Sequence, residues 1–202
     1  MRILLVGATG TIGSALASAL EKRGHAVVRV GRKSGDQHAD IADPASIHAL
    51  YDSVEGVDAV VCAAGRAAFG PLSELGDEDF EATLASKLMG QVNLVRAGVG
   101  RVSEGGSFTL TSGTLSQAPQ AGTSAVAMAG AAVEAFARGA AIDLHGRYRV
   151  NVVSPGEVAE SREKRGLDPM PGIWAEDLAT HYVELVEGDV TGAVVAAEAP
   201  RS

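Results

Sequence analysis

Glycines stand at positions 7, 10 and 13, after the apolar run Ile3 to Val6 and at the start of a helical pattern in which Ile12, Leu16, Ala19 and Leu20 share one face. Residues of these types at this spacing suit phosphate binding. A glycine loop between a buried strand and a helix turns tightly, lets a ligand approach the backbone and aims free N–H groups at an anion. Gly7, Thr9, Gly10, Thr11, Ile12 and Gly13 are therefore the expected cradle of a dinucleotide pyrophosphate. Two other side chains could do chemistry. Ser112 ends the strand pattern Ser107 to Thr111, and a hydroxyl there can donate to a substrate oxygen. Lys87 lies within Ser86-Lys87-Leu88-Met89-Gly90; buried near a reacting group, its pKa falls and it becomes a useful acid. Neither resembles an activated nucleophile, since Ser112 lies in no Gly-x-Ser-x-Gly elbow. The histidines at 25, 38, 48, 145 and 181 form no metal-ligand spacing, so no metal site is expected. His181-Tyr182 reads as a helix-face pair, and Trp174 as either a lid anchor or the staple of the last helix.

The elements that must position these residues alternate between strand and helix. Strand patterns cover residues 3–6, 26–30, 38–40, 58–62, 107–111, 149–153 and 192–196. Helical patterns begin after Gly10, at Asp43-Pro44 (Asp as N-cap, Pro in the first turn), and over 77–102, 121–144 and 175–187. The polar segment 160–172 reads as a surface loop or short helix. This alternation predicts an α/β protein: one domain over residues 1–202, a doubly wound parallel sheet of about seven strands flanked by helices. Ligands of such sheets bind beyond the strand carboxyl ends, beside strand one.

Composition narrows the class. The chain has 202 residues, 46% hydrophobic and 21% charged, with a net charge of −8. That acidity repels phosphate backbones, so nucleic-acid binding is not expected. The lone Cys62 permits no intrachain disulfide, which fits a reducing cytoplasm. The apolar N-terminal run is too short to span a bilayer, and no signal or membrane segment is expected.

Gly7-x-x-Gly10-x-x-Gly13, Asp40-Ile41, Ala63-Ala64-Gly65, Ser112, Asn151-Val-Val-Ser-Pro155-Gly156 and Gly192 follow one another in the chain. In this order they resemble the short-chain dehydrogenase/reductase family over nearly the whole length. The resemblance implies a coenzyme-binding Rossmann fold. Asp40 and Ile41 would meet the adenine, Ala63, Ala64 and Gly65 would pass beside the adenosine ribose, and Pro155 and Gly156 would contact the nicotinamide end. Coenzyme choice is argued locally. NAD sites place a carboxylate at the end of strand two, but here that strand exits through Arg32, Lys33 and Ser34. Arg32 could stack on adenine and clamp a 2′-phosphate, with Lys33 adding charge and Ser34 a donor. NADP(H) is expected over NAD(H).

The sequence departs from the family where the family keeps its proton chemistry. The family's tyrosine falls at Val126, and its lysine, four residues on, at Gly130. Tyr51, Tyr148 and Tyr182 are followed four residues later by Glu55, Val152 and Val186, so no Tyr-x-x-x-Lys exists in this sequence. Lys87 takes the place of the family's asparagine. The chain resembles a subgroup with intact coenzyme loops and missing active-site residues. It is expected to be an atypical oxidoreductase acting on a small carbonyl, imine or activated alkene, with Ser112 polarising the substrate and Lys87 orienting it or donating a proton. The rival expectations are a catalytically silent coenzyme-binding or sensing protein, and a non-redox isomerase or cyclase using the same pocket. The small-residue helix from Thr123 to Leu144 implies, by the resemblance, a homodimer or homotetramer built through a helix bundle; packing on its own sheet is the other reading.

Overall fold

The structure is a computed structural model that describes residues 1–199. Seven parallel strands form one sheet: β1 (Arg2–Val6), β2 (Ala26–Gly31), β3 (Gln37–His38), β4 (Val57–Cys62), β5 (Val102–Thr111), β6 (Arg149–Pro155) and β7 (Val194–Ala197). Their spatial order is β3-β2-β1-β4-β5-β6-β7. The chain runs outward from β1 to one edge, then returns past it to the other. The crevice at that reversal lies between β1 and β4.

Both faces of the sheet are covered, which is why the inner strands read as continuous apolar runs rather than alternating ones. Leu4, Val6, Val60, Phe108 and Val150 pack against α2 (Pro44–Ser53), α4 (Gly90–Gly98) and α5 (Ser124–Asp143) on one face. Ile3, Leu5, Ala59 and Val61 pack against α1 (Thr11–Lys22) and α7 (Ala175–Glu187) on the other. The α2 start is the one the sequence specifies: Asp43 Oδ1 accepts from Ala45 N at 2.9 Å, with Pro44 in the first turn. By length and apolar composition α5 could cross a bilayer, yet Ala125, Ala129, Val133 and Ala137 are buried within this fold.

One expected helix is divided. Residues 77–102 form α3 (Asp77–Thr83), a π-helical turn Leu84–Met89 and α4, and Val102 opens β5 instead of closing a helix. The chain leaves α4 through extended Val99 and Gly100, whose φ of 79° suits glycine. The third strand is also displaced, to Gln37–His38, because Asp40 spends its backbone N–H on Ser46 Oγ and turns the chain toward α2. The segment 160–172 holds the short helix α6 (Ala159–Glu163) followed by turns.

Candidate coenzyme cleft and the buried polar cluster beneath it

The glycine loop is built by close approach. Gly7 has φ 88°, and a Cβ there would lie 2.8 Å from the Ala63 carbonyl carbon; a Cβ on Gly13 would lie 2.0 Å from Gly7 O. These two glycines let α1 seat directly on β1 and β4. Gly10 differs, since its Cβ would meet only Gly7 O, at 3.4 Å. Gly10 is the N-cap of α1 and supplies no side-chain cap. Among the described residues, the backbone N–H groups of Thr11, Ile12 and Gly13 have no acceptor outside the helix. Free donors, the positive end of a 12-residue helix and an open space over Gly10 fit a pyrophosphate. Lys164 Nζ donates to Thr11 Oγ1 at 2.8 Å, bringing a cation to the same mouth. Sequence reasoning passed over this lysine because its segment carries no motif.

The adenosine side lies along the same row of strand ends. Arg32, Lys33 and Ser34 are exposed at the exit of β2. Asp36, the nearest acid, turns back to accept from Arg29 N at 2.9 Å. Asp40 is half-buried and its Oδ1 accepts from Ala42 N, while Ile41 is buried against Gly90. Ala63 and Ala64 are half-buried and Gly65 is exposed. A Cβ on Gly65 would lie 3.3 Å from Lys87 Cα, which joins this loop to the far end of the cleft.

At that far end Lys87 is 9% exposed and projects from the π-helical turn. Such turns recur at functional sites because the extra residue re-aims a side chain. Its Nζ donates to Ser112 O at 2.9 Å and to Thr111 O at 3.3 Å. Burial holds its pKa below the usual lysine value, partly opposed by the neighbouring Cys62. Gln91 completes the anchor, donating to Lys87 O and Thr111 O and accepting from Thr111 N. The end of β5 is thus tied to the helix layer from three directions.

The Ser112 hydroxyl is held from within the fold, its Oγ 3.1 Å from the Gly130 carbonyl oxygen. Ser112 is buried, and its Oγ lies 2.7 Å from Glu134 Oε1 on α5. The same carboxylate oxygen accepts from Ser116 Oγ at 2.6 Å and from Ser154 Oγ at 3.3 Å. Glu134 is 4% exposed. It was not among the residues singled out from the sequence, and its three serine partners lie at three separate chain positions. The available signal was local: Val126, Gly130 and Glu134 recur every fourth residue and share the buried face of α5. A Cβ on Gly130 would lie 3.1 Å from Ser112 Oγ, so the glycine opens the room that the carboxylate reaches across.

The remaining candidates lie on or beside β4, β6 and α7. Tyr182 is fully buried, shares a 2.7 Å hydrogen bond with Thr111 Oγ1, and burial raises its pKa. His181 is half-buried on α7, and Trp174 is the partly exposed N-cap residue of that helix. Burial pushes the Cys62 thiol up to about 11, which keeps it an inert thiol. Pro155 and Gly156 close β6, with Gly156 N donating to Ala197 O.

A doubly wound parallel sheet with a glycine loop at its switch point defines a nucleotide-binding α/β protein. A family model described as enoyl-(acyl carrier protein) reductase matches residues 7–184. The chain belongs to the short-chain dehydrogenase/reductase family, whose members use NAD(P). It is 32% identical over 124 residues to 2,3-dihydro-2,3-dihydroxybenzoate dehydrogenase of Escherichia coli, covering 58% of this chain and 50% of the relative. It is 31% identical over 144 residues to D-threitol dehydrogenase of Mycolicibacterium smegmatis, covering 61% and 54%. The chain therefore spans about half the length of these curated relatives. Among solved structures it matches the protein lin1944 of Listeria innocua with 41% identity and a TM-score of 0.92, over 97% of this chain and 98% of the other. A small-chain dehydrogenase in complex with NADPH matches at 27% identity and TM-score 0.86, over 98% and 97%.

Proposed function

We propose that this chain is an atypical reductase that binds NADP(H) in preference to NAD(H) and reduces a small carbonyl, imine or activated alkene. The coenzyme, when bound, would supply the hydride at its nicotinamide ring. The N–H groups of Thr11, Ile12 and Gly13 would hold its pyrophosphate, and Arg32, Lys33 and Ser34 would hold the 2′-phosphate. Ala63, Ala64 and Gly65 would flank the adenosine ribose, and Pro155 and Gly156 the nicotinamide. Lys87 fixes the Thr111 and Ser112 carbonyls and would thereby orient the site, and the Ser112 hydroxyl would polarise the substrate oxygen.

The observation that carries the coenzyme preference is the fate of Asp36. An NAD site needs a carboxylate free to meet the ribose 2′-hydroxyl, but Asp36 is bound to Arg29 N, while Arg32 and Lys33 stand exposed. The complexes of two similar structures, one with NADPH and one from Burkholderia cenocepacia with NADP at 26% identity, support the same reading. Calorimetric titration tests it. NADPH is expected to bind at least about tenfold more tightly than NADH, and Arg32→Ala to remove most of that difference, as loss of a charge-assisted contact worth about 1.5–3 kcal/mol requires. Equal affinities, or tighter NADH, would overturn it.

Val126 and Gly130 favour a second reading, a protein that binds the coenzyme without turnover. In that case NADPH binds and is oxidised by no member of a carbonyl and imine panel. A non-redox isomerase or cyclase would instead form product without consuming NADPH. The small-residue face of α5 also supports association into a homodimer or homotetramer.

A further inference from the structure

We infer that Glu134 is the proton store of this site, passing a proton to substrate through the Ser112 hydroxyl and regaining it from solvent through Ser116. The inference rests on the reductase reading above and adds the group that would do the work of the missing tyrosine and lysine.

Three hydroxyls converge on one oxygen of one buried carboxyl group. Ser112, Ser116 and Ser154 lie 2.7, 2.6 and 3.3 Å from Glu134 Oε1. Among the described residues no hydrogen bond reaches Oε2, so any proton exchanged with the serines passes through Oε1. Ser112 and Ser154 are buried and Ser116 is half-buried, so the cluster has an inner end at β5 and an outer end toward the surface. The charge around it is sparse. Lys87, on the π-helical turn, is spent on the carbonyl of Ser112 rather than on its hydroxyl. On α3, Asp77, Glu78 and Glu81 are exposed, and Asp79 accepts from Gly76 N. On α4, Arg96 pairs with Asn93. On β5 and β6, Glu104 meets Arg147, and Arg149 meets the Gly105 and Val186 carbonyls, all at the opposite end of the strands. On α5 itself, Arg138 lies about one turn and Asp143 about two and a half turns beyond Glu134, and both are exposed. Among the described residues no cation lies in ion-pair contact with Glu134.

A serine hydroxyl has one proton. With Glu134 ionised, the Ser112 proton is drawn to the carboxylate and is not offered to a ligand. With Glu134 protonated on Oε1, the carboxyl can donate to Ser112 Oγ, and the hydroxyl proton turns away from it, to the Gly130 carbonyl 3.1 Å off or, when substrate is bound, to the substrate oxygen. In carbonyl reduction the substrate carbon accepts a hydride with its electron pair from the reduced nicotinamide coenzyme, and the C=O π bond breaks. The carbonyl oxygen takes the proton of Ser112 as that Oγ–H bond breaks. Ser112 takes the proton of Glu134, which is left a carboxylate and regains one proton from water by way of Ser116.

The experiment compares wild type, Glu134→Gln and Glu134→Asp, and it has two independent readouts. Infrared spectra of the NADPH-saturated proteins, taken across pH, report the carboxylic C=O stretch. The expected result is a protonated carboxyl band in wild type that is missing in E134Q. Kinetics with an activated 1,2-diketone probe should show kcat at least about a hundredfold lower in E134Q, with KM and NADPH affinity unchanged and partial recovery in E134D. The wild-type rate should fall toward alkaline pH, because an acid works only while protonated, and E134Q should lack that fall. Wild-type kcat and pH profile in E134Q, or no protonated band at any pH, would overturn the proposal. If NADPH is never oxidised, the reductase reading fails, and the infrared band alone decides whether Glu134 stores a proton. Should E134Q not fold, Ser112→Ala keeps the carboxylate and two of its serine bonds while breaking the same path, and should lower kcat as strongly.

Discussion

Lys87 pairs an ammonium with two backbone carbonyls in a buried setting, and this has a measurable consequence at the residue scale. Burial lowers its pKa in the fold, whereas unfolding returns it to the ordinary value near 10.4. Between those two values the unfolded chain binds more protons, so stability rises with pH across that window. The folded state is penalised while Lys87 is charged, and the penalty lifts as pH climbs toward about 10. Urea midpoints measured at increasing alkaline pH should therefore rise in wild type relative to Lys87→Met, which lacks this titration. Parallel curves would mean that the amine is hydrated in solution. The residues nearest in chemistry were unequally legible. Lys87 and Ser112 were visible because a resemblance assigns their positions. Glu134 was hidden because a single acid in an alanine-rich helix reads as a solvated face, and the serines that define its role come from separate stretches of chain.

The glycine loop makes opposite demands on neighbouring glycines at the scale of the element. Gly13→Ala drives a methyl to 2.0 Å from Gly7 O, and the backbone must shift to accept it. Overpacking of this kind costs about 1–3 kcal/mol, so the variant should melt several degrees below wild type and lose coenzyme affinity. Gly10→Ala meets nothing closer than 3.4 Å, and should melt as wild type does. It nevertheless places a methyl over the free N–H groups of α1 and should weaken NADPH binding by more than about tenfold, equivalent to about 1.4 kcal/mol. Undiminished binding by Gly10→Ala would move the phosphate away from this cradle. The strand, loop and helix here were legible because three local signals agree: apolar run, glycine spacing and helical periodicity. The π-helical turn Leu84–Met89 was not, since the apolar positions Phe80, Leu84, Leu88 and Val92 fit one continuous α-helix by spacing. The single widened turn is decided by where Lys87 and Gln91 can reach β5, a tertiary condition that periodicity does not carry.

The doubly wound arrangement was readable at the scale of the whole molecule, because short right-handed crossovers between parallel strands leave few topologies to choose from. Which helix faces stay uncovered follows from how the layers close. On α5 the buried line faces the sheet, while Met128, Ala131, Ala135, Gly139 and Ile142 are exposed, with Ile142 at 77%. These positions recur at intervals of three and four residues and so lie on one face. Arg138 is the charged member of that face. Met89, also exposed, lies on the helix layer that packs beside α5 on the same side of the sheet. Small side chains allow close helix approach, and a contiguous apolar surface of this kind marks an association site. A second copy of the chain, related by a two-fold axis, would bring two α5 helices together and bury both stripes at once. Sedimentation at micromolar concentration should then give at least twice the 20.5 kDa chain mass. Met128→Glu places a charge in the middle of the shared face and should shift the protein to monomer while leaving its circular dichroism unchanged, because the side chain is outside the core. A wild-type monomer, or an oligomer indifferent to Met128→Glu, would show that α5 serves only its own sheet.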